Sequence, residues 1–206
     1  MIQEDCIKRL VRMNNQVTNK PSREEAEEAV RILLKYAGED PAREGLLDTP
    51  KRVVKSYDEF YKGYNENPHE YLSRTFEEVS GYDEMVVLKN IEFFSTCEHH
   101  MLPFFGKAHI AYIPNGKITG LSKIARLVDV FAKRPQVQER MTSQIADAMM
   151  EILKPMGVIV IIDCEHLCMS MRGVRKSEAR TITSAVRGVL RDPATRAEAM
   201  SLITAR

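Results

Sequence analysis

Met85-Val-Val-Leu-Lys-Asn-Ile-Glu-Phe-Phe-Ser-Thr-Cys-Glu-His-His100 is the stretch on which the reading of the fold turns. Before it the apolar residues recur at helical spacing; from Met85 the pattern becomes that of a strand. Met85 to Ser95 and Lys107 to Ile113 read as strands, and Pro114-Asn115-Gly116 is a turn signal before Ile118. Upstream, Ser22 to Ala37 reads as a helix. Ser22 and Glu25 form its capping box, and Gly38 is its stop. Its stripe of Ala26, Ala29, Val30, Leu33, Leu34 and Ala37 is expected to pack in the core. Thr49-Pro50 opens a second helix, with Thr49 as cap, that runs to about Gly63. Tyr64 to Tyr82 reads as a loop with room for a short helix.

Downstream, Ser122 to Lys133 and Pro135 to Lys154 read as two helices. Ile124, Leu127, Val128 and Phe131 line the first; Val137, Met141, Ile145, Ala148, Met149 and Ile152 line the second. Gly157 to Cys164 is an apolar strand, Thr181 to Val186 is expected beside it, and Asp192-Pro193 starts a terminal helix. The layout is an N-terminal helical arm, residues 1–63, followed by an α+β domain, residues 64–206. That domain is expected to hold a mainly antiparallel sheet with two helices on one face, inserted between its hairpins.

The chain has 206 residues, 44% hydrophobic and 29% charged, as a water-soluble globular protein should be. A net charge of +1 gives no global case for binding nucleic acid or an acidic membrane. Any anionic ligand must therefore meet a local basic cluster. Met1 to Met13 is broken by Glu4, Asp5, Lys8, Arg9 and Arg12, which does not fit a secretory signal. No apolar run is long enough to span a bilayer. Three of the four cysteines lie in clustered blocks with histidines, which suits metal chemistry in a reducing, cytoplasmic setting better than a disulfide frame.

Those blocks are Cys97-Glu-His-His100 and Cys164-Glu-His-Leu-Cys168. Zinc is held by thiolate sulfur and imidazole nitrogen. The two-residue gap between Cys97 and His100 lets both reach one ion, and Cys168 can supply a third ligand from a distant segment. Three protein ligands mark a catalytic zinc and four a structural one. His99 and His166 are then left over beside an open metal, placed for proton transfer. Two other readings stand beside this one. Cys164 could close a structural clip, or the thiols could be buried and bind nothing.

Other groups could meet a substrate. Ser122, Lys123 and Arg126 lie at a helix start, where free N–H groups and a partial positive charge favour an anion such as phosphate. Arg52 and Lys55 lie in the first turns of the helix opened by Thr49-Pro50. On its own, each set reads first as a capped, solvated helix end. Arg172 and Arg175 follow Cys168 closely and bring positive charge toward the second block. Glu139, in Gln138-Glu139-Arg140, offers a carboxylate that could accept two parallel hydrogen bonds from guanine. Exposed helical glutamates are common without such a role.

Taken together the blocks resemble the GTP cyclohydrolase I family. The matching segments are Asp48-Thr-Pro-Lys-Arg52, Ser95-Thr-Cys-Glu-His-His100, Gly120-Leu-Ser-Lys123, Arg134-Pro-Gln-Val-Gln-Glu-Arg140, and His166-Leu-Cys168 with Arg172-Gly173. The resemblance runs from about Ser22 to the C-terminus. It implies Zn2+ on Cys97, His100 and Cys168, and acid–base roles for His99 and His166. It implies that Gln138 and Glu139 meet guanine and that Ser122, Lys123, Arg126 and Arg172 surround the triphosphate. Arg52 and Lys55 would serve a neighbouring subunit's site. The implied fold is the tunnelling fold, and the implied assembly a homodecamer of two stacked pentamers. The implied reaction turns GTP into 7,8-dihydroneopterin triphosphate with release of formate. One departure is visible: where the family often carries a Lys-Pro-Gly-type turn, Lys176 is followed here by Ser177-Glu178-Ala179.

Two rivals of other kinds remain at this stage. A zinc-stabilised module could hold purine nucleotides without turnover, with Cys164 as a fourth ligand. Another tunnelling-fold enzyme could act on a pterin or deazapurine. A nucleoside deaminase is disfavoured, because its His-x-Glu and Cys-x-x-Cys pairing is missing.

Overall fold

The computed structural model describes residues 19–76 and 82–205; the segment from Met1 to Met13 lies outside them. Among the described residues, five strands form one sheet in the order β5-β2-β3-β6-β7. These are β2 (Val86–Cys97), β3 (Pro103–Ile113), β5 (Pro135–Gln136), β6 (Gly157–His166) and β7 (Thr181–Gly188). Strands β1 (Thr75–Phe76) and β4 (Ile118–Thr119) make a separate antiparallel pair. The pairs β2–β3, β3–β6 and β6–β7 are antiparallel. Helices α4 (Leu121–Ala132) and α5 (Gln138–Ala148) lie in sequence between β3 and β6. The expected mixed fold, helices inserted between hairpins of a mainly antiparallel sheet, is thus observed.

Alternation explains the core. Phe104, Ala108, Ile110 and Tyr112 of β3 join Val158, Val160, Ile162 and Cys164 of β6 on one face. Ile124, Leu127, Val128 and Phe131 of α4 and Met141, Ile145 and Ala148 of α5 cover them. The opposite face is covered at one end by α7 (Pro193–Thr204), whose Ala199 and Ile203 meet Ala111, Ile159 and Ile161. Strand β6 is therefore buried on both sides, which is why it reads as an unbroken apolar run.

Several local expectations are revised. Pro135-Gln136 does not start a helix. It pairs in parallel with Thr96-Cys97 at the end of β2, and α5 begins at Gln138. Proline pushes the residue before it away from helical geometry, so the break at Arg134 is extended into a strand. Helix α5 stops at Ala148 and becomes a π-turn over Met149–Leu153, ending with Lys154 at φ 53° just ahead of Pro155. Helix α2 (Thr49–Phe60) has Asp48, not Thr49, at its N-cap, without a side-chain capping bond. The short helix allowed for within Tyr64 to Tyr82 is present as α3 (Pro68–Leu72).

Helix α1 (Arg23–Tyr36) has the expected capping box at Ser22 and Glu25, and Gly38 follows its end at φ 92°. Its apolar stripe, however, is not in a core: α1 has no buried residue, and Leu33 is 64% exposed. Among the described residues, α1 packs chiefly against α2. Arg134 fixes the base of this arm. Its buried guanidinium donates to the carbonyls of Gly63, at 2.7 and 3.1 Å, and of Val130, at 3.0 Å.

One glycine matters for the site. Gly106 pairs with Cys164, and a Cβ there would lie 1.9 Å from the Asp163 carbonyl oxygen. Gly106→Ala should force β3 and β6 apart beside the second Cys/His block. Overpacking of this kind costs about 1–3 kcal/mol, or roughly 2–10 °C in Tm for a chain of this size. Thermal unfolding checks it, and an unchanged Tm would show that the strands yield freely there.

Candidate metal centre and active site

The hairpin between β2 and β3 carries the first block. Cys97 ends β2, where its N–H donates to Leu102 O at 2.8 Å and its carbonyl accepts from Met101 N–H at 2.8 Å. The turn thus presents Cys97, His99 and His100 together. Cys97 Sγ lies 3.7 Å from His100 Nδ1 and 4.0 Å from His99 Nδ1. The second block arrives from the end of β6. His166 is its last residue, and Cys168 lies in the short helix α6 (Leu167–Ser170).

These two turns meet. Ligand atoms of Cys97, His100 and Cys168 lie within 4.8 Å of one another, so the group could hold a metal ion. Two sulfurs and one imidazole make a soft donor set. Burial and the adjacent Cys97 push the Cys168 thiol up, while Arg172 pulls it down. A cation between the sulfurs would reverse that balance and favour thiolates.

Cys164 is not in this group. It is 0% exposed, packed in the core among the β6 residues Val158, Val160 and Ile162, and burial pushes its thiol up to about 12. The closed four-ligand clip therefore lacks its fourth thiol, and with it goes the main support for a purely structural zinc module.

His166 stacks on Phe104, with ring centroids 4.6 Å apart and planes 6° apart. Its Nε2 lies 2.8 Å from Gln138 Oε1. Burial pushes the imidazole below its ordinary value, and the nearby Glu139 carboxylate opposes this. Glu139 itself is exposed at the first turn of α5, close enough to His166 to be felt electrostatically. Gln138 is 2% exposed, and its amide nitrogen donates to Ile162 O, Thr181 O and Thr183 Oγ1. A guanine contact by Gln138, as the resemblance implies, would have to displace some of these bonds.

The basic residues are more dispersed. Arg172 is exposed and lies near Cys168. Ser122, Lys123 and Arg126 occupy the first turns of α4, whose N-cap is Gly120, a residue with no side chain to cap the free N–H groups. Arg52 and Lys55 are exposed on α2, and Arg52 pairs with Asp48 at 3.3 Å. No hydrogen bond or ion pair joins either set to the Cys/His cluster among the described residues. The turn at Ser177-Glu178-Ala179 is closed by Ala179 N–H to Lys176 O at 3.3 Å, so the departure from the family pattern still turns the chain.

Sequence reasoning passed over Glu98 and Arg140. Both nitrogens at the end of the Arg140 guanidinium donate to the Glu98 carboxylate, and its Nε donates to Gln136 Oε1 at 3.1 Å. That pairing holds the Glu98 carboxyl below its ordinary value. The available signal was the alternation of Arg134, Gln136, Gln138 and Arg140, polar groups at every second position in a stretch heading into the core.

No described helix is long and apolar enough to cross a membrane. Comparison with known proteins gives a consistent answer. The model of the GTP cyclohydrolase I family matches residues 26–204. A protein named GTP cyclohydrolase 1 from Streptomyces griseus is 64% identical over 183 residues, 88% of this chain and 90% of that one. One of the same name from Allorhizobium ampelinum is 60% identical over 171 residues, 83% of this chain and 85% of that one. A third, from Brucella canis, is 59% identical over 178 residues, 86% of this chain and 84% of that one. With a match that spans both Cys/His blocks and the 134–140 segment, the chain belongs to the GTP cyclohydrolase I family.

Proposed function

We propose that the site formed by the two Cys/His turns and the start of α5 hydrolyses GTP at C8 of the purine. The products are formate and, after rearrangement of the ribose, 7,8-dihydroneopterin triphosphate. The observation that carries this reading is the three-ligand cluster of Cys97, His100 and Cys168, with two further histidines and a carboxylate beside it. We assign the ion as Zn2+, which would supply Lewis acidity and water acidified to about pKa 7.

The chain's own residues do the rest. His99, next to the ligand His100, donates a proton to N7 as the ring opens. His166, fixed by Phe104 and Gln138, moves protons in the second hydrolysis and in the ribose rearrangement. The Glu139 carboxylate accepts from guanine N1–H and the exocyclic amine. Ser122, Lys123, Arg126 and Arg172 hold the triphosphate, the first three using the open N–H groups at the start of α4. Fixing both ends of GTP keeps C8 in place through several steps. The free thiols of Cys97, Cys164 and Cys168 fit a reducing, cytoplasmic setting.

Glu139→Ala tests the base-reading role. Two guanine donors left unpaired in the bound state cost about 1–3 kcal/mol each, so GTP affinity should fall by roughly 10²-fold or more. Glu139 is exposed, so zinc content and Tm should not change. Unchanged GTP affinity would move the role to another residue.

The assembly is proposed as a homodecamer of two pentamers with the tunnelling fold. Two faces support it. Helix α1 leaves Ile32, Leu33 and Tyr36 exposed, and β7, with Ile182 67% exposed, lies at an edge of the sheet. Arg52 and Lys55 then belong to a neighbour's site. Arg52→Ala and His166→Ala, each inactive alone, should regain activity when dissociated and reassembled together. Absence of rescue in proven mixed oligomers would place Arg52 in the same chain's site as His166.

A further inference from the structure

Two of the three consecutive residues Gln138, Glu139 and Arg140 at the start of α5 reach the two Cys/His turns. Gln138 reaches forward in the chain to the His166 turn, Arg140 reaches back to the Cys97 turn through Glu98, and Glu139 between them is exposed. The orientation of the Gln138 amide is fixed by its neighbours. Two of the three atoms near one end are the backbone carbonyl oxygens of Ile162 and Thr181, at 3.1 and 2.9 Å, and these can only accept. That end must be the nitrogen. The other end, Oε1, must therefore accept a hydrogen bond, and the atom 2.8 Å from it is His166 Nε2. So His166 carries a proton on Nε2 and meets anything else through Nδ1. The stack on Phe104 fixes the plane of the ring about that bond.

The other arm is equally specific. The Glu98 carboxylate takes both terminal nitrogens of Arg140, while Glu98 N–H donates to Gln136 O at 3.0 Å. Arg140 also donates to Gln136 Oε1, and the Gln136 amide donates to Phe131 O at 3.0 Å and Gln144 Oε1 at 2.8 Å. The turn carrying Cys97 and His100 is thereby tied to the same helix turn that holds His166.

We propose that Gln138 and Arg140 are positioning residues: together they staple the two metal-bearing turns to the first turn of α5, and Gln138 presents His166 to the reaction through Nδ1. The proposal rests on the proton-transfer role given to His166 above. It places Gln138 behind the histidine, leaving the base to Glu139. Groups that orient the surroundings of a metal typically change affinity or activity 10–100-fold when removed.

The test uses the zinc-loaded protein and the variants Gln138→Met, Arg140→Met, Arg140→Lys, His166→Ala and Gln138→Met/His166→Ala. Zinc affinity is read by chelator competition, and kcat and GTP affinity are read separately. Gln138→Met should lower kcat at least tenfold while GTP and zinc affinities move less than threefold. Added to His166→Ala it should cost less than twofold more, because a residue that acts through another has nothing left to act on. Arg140→Met should weaken zinc about 10–100-fold, with Arg140→Lys recovering part of it. If Gln138→Met does not fold, Gln138→Asn keeps an amide that falls one methylene short of His166 and reads the same quantity.

Additive losses in the double variant, or a loss confined to GTP affinity, would put the Gln138 amide on the substrate and overturn the proposal. Unchanged zinc affinity in Arg140→Met would overturn its other arm. A fully active His166→Ala would instead overturn the role of His166, and the zinc affinities would still decide the Arg140 arm.

Discussion

Cys168→Ser is expected to lose its metal and its turnover together, while Cys164→Ser keeps both. The two residues are four apart in sequence and differ in everything that matters for binding an ion. Cys168 lies with Cys97 and His100 in one group of ligand atoms; Cys164 faces the core with its thiol pushed up to about 12. A serine hydroxyl is a poor substitute for a thiolate on zinc, because it does not ionise near neutral pH. Without the ion, water is no longer acidified toward a pKa of about 7, so formate release should fall below detection. At Cys164 the exchange replaces a core thiol by a hydroxyl. It should cost about 1–3 kcal/mol of stability but leave one zinc per chain. Metal analysis and a formate assay on both variants check this. Equal loss of zinc from the two would mean a closed, four-ligand site.

The second large effect is expected at His166. His166→Ala should retain zinc and bind GTP within a few-fold of the parent, yet turn over about 10²–10⁴-fold more slowly, the range for a general acid–base group. The formamide of the opened purine is expected to accumulate. The substitution also removes the stack on Phe104 and leaves the Gln138 oxygen without its partner. An unsatisfied buried acceptor costs about 1–3 kcal/mol, so Tm should drop by roughly 2–10 °C. Normal pterin formation by this variant would remove His166 from the chemistry.

The Cys97, His100 and Cys168 cluster, which could hold a metal ion, was legible in the sequence because cysteine and histidine are scarce and the spacing within each block is local. The sequence left Cys164 open as a fourth ligand; the structure places it in the core with Val158, Val160 and Ile162 on the same face of β6. What could not be read was set by distant partners. Pro135-Gln136 is a strand only because Thr96-Cys97 lies beside it, and two residues carry no period of their own. Gln138 sits at a helix start, where an amide reads as solvated. Its burial depends on His166, 28 residues away, and on Thr181 and Thr183, more than 40 away. The stripe on α1 is apolar but not core: among the described residues α1 packs chiefly against α2, and none of its residues is buried.

The stripe and the edge of β7 are surfaces of one protomer, and the proposed assembly would set other protomers against them. The metal cluster is different, because all three of its ligands come from one chain. Assembly is therefore expected to complete the triphosphate site rather than the metal site. Dissociated chains should hold zinc before they turn over GTP.

The most direct measurement of the central claim is incubation of the zinc-loaded protein with GTP, reading formate and the pterin chromophore together. One formate should appear for each dihydroneopterin triphosphate, with the triphosphate intact. Both signals should vanish with a chelator and return with zinc. GTP recovered unchanged, phosphate released in place of formate, or full turnover in metal-stripped protein would contradict the account.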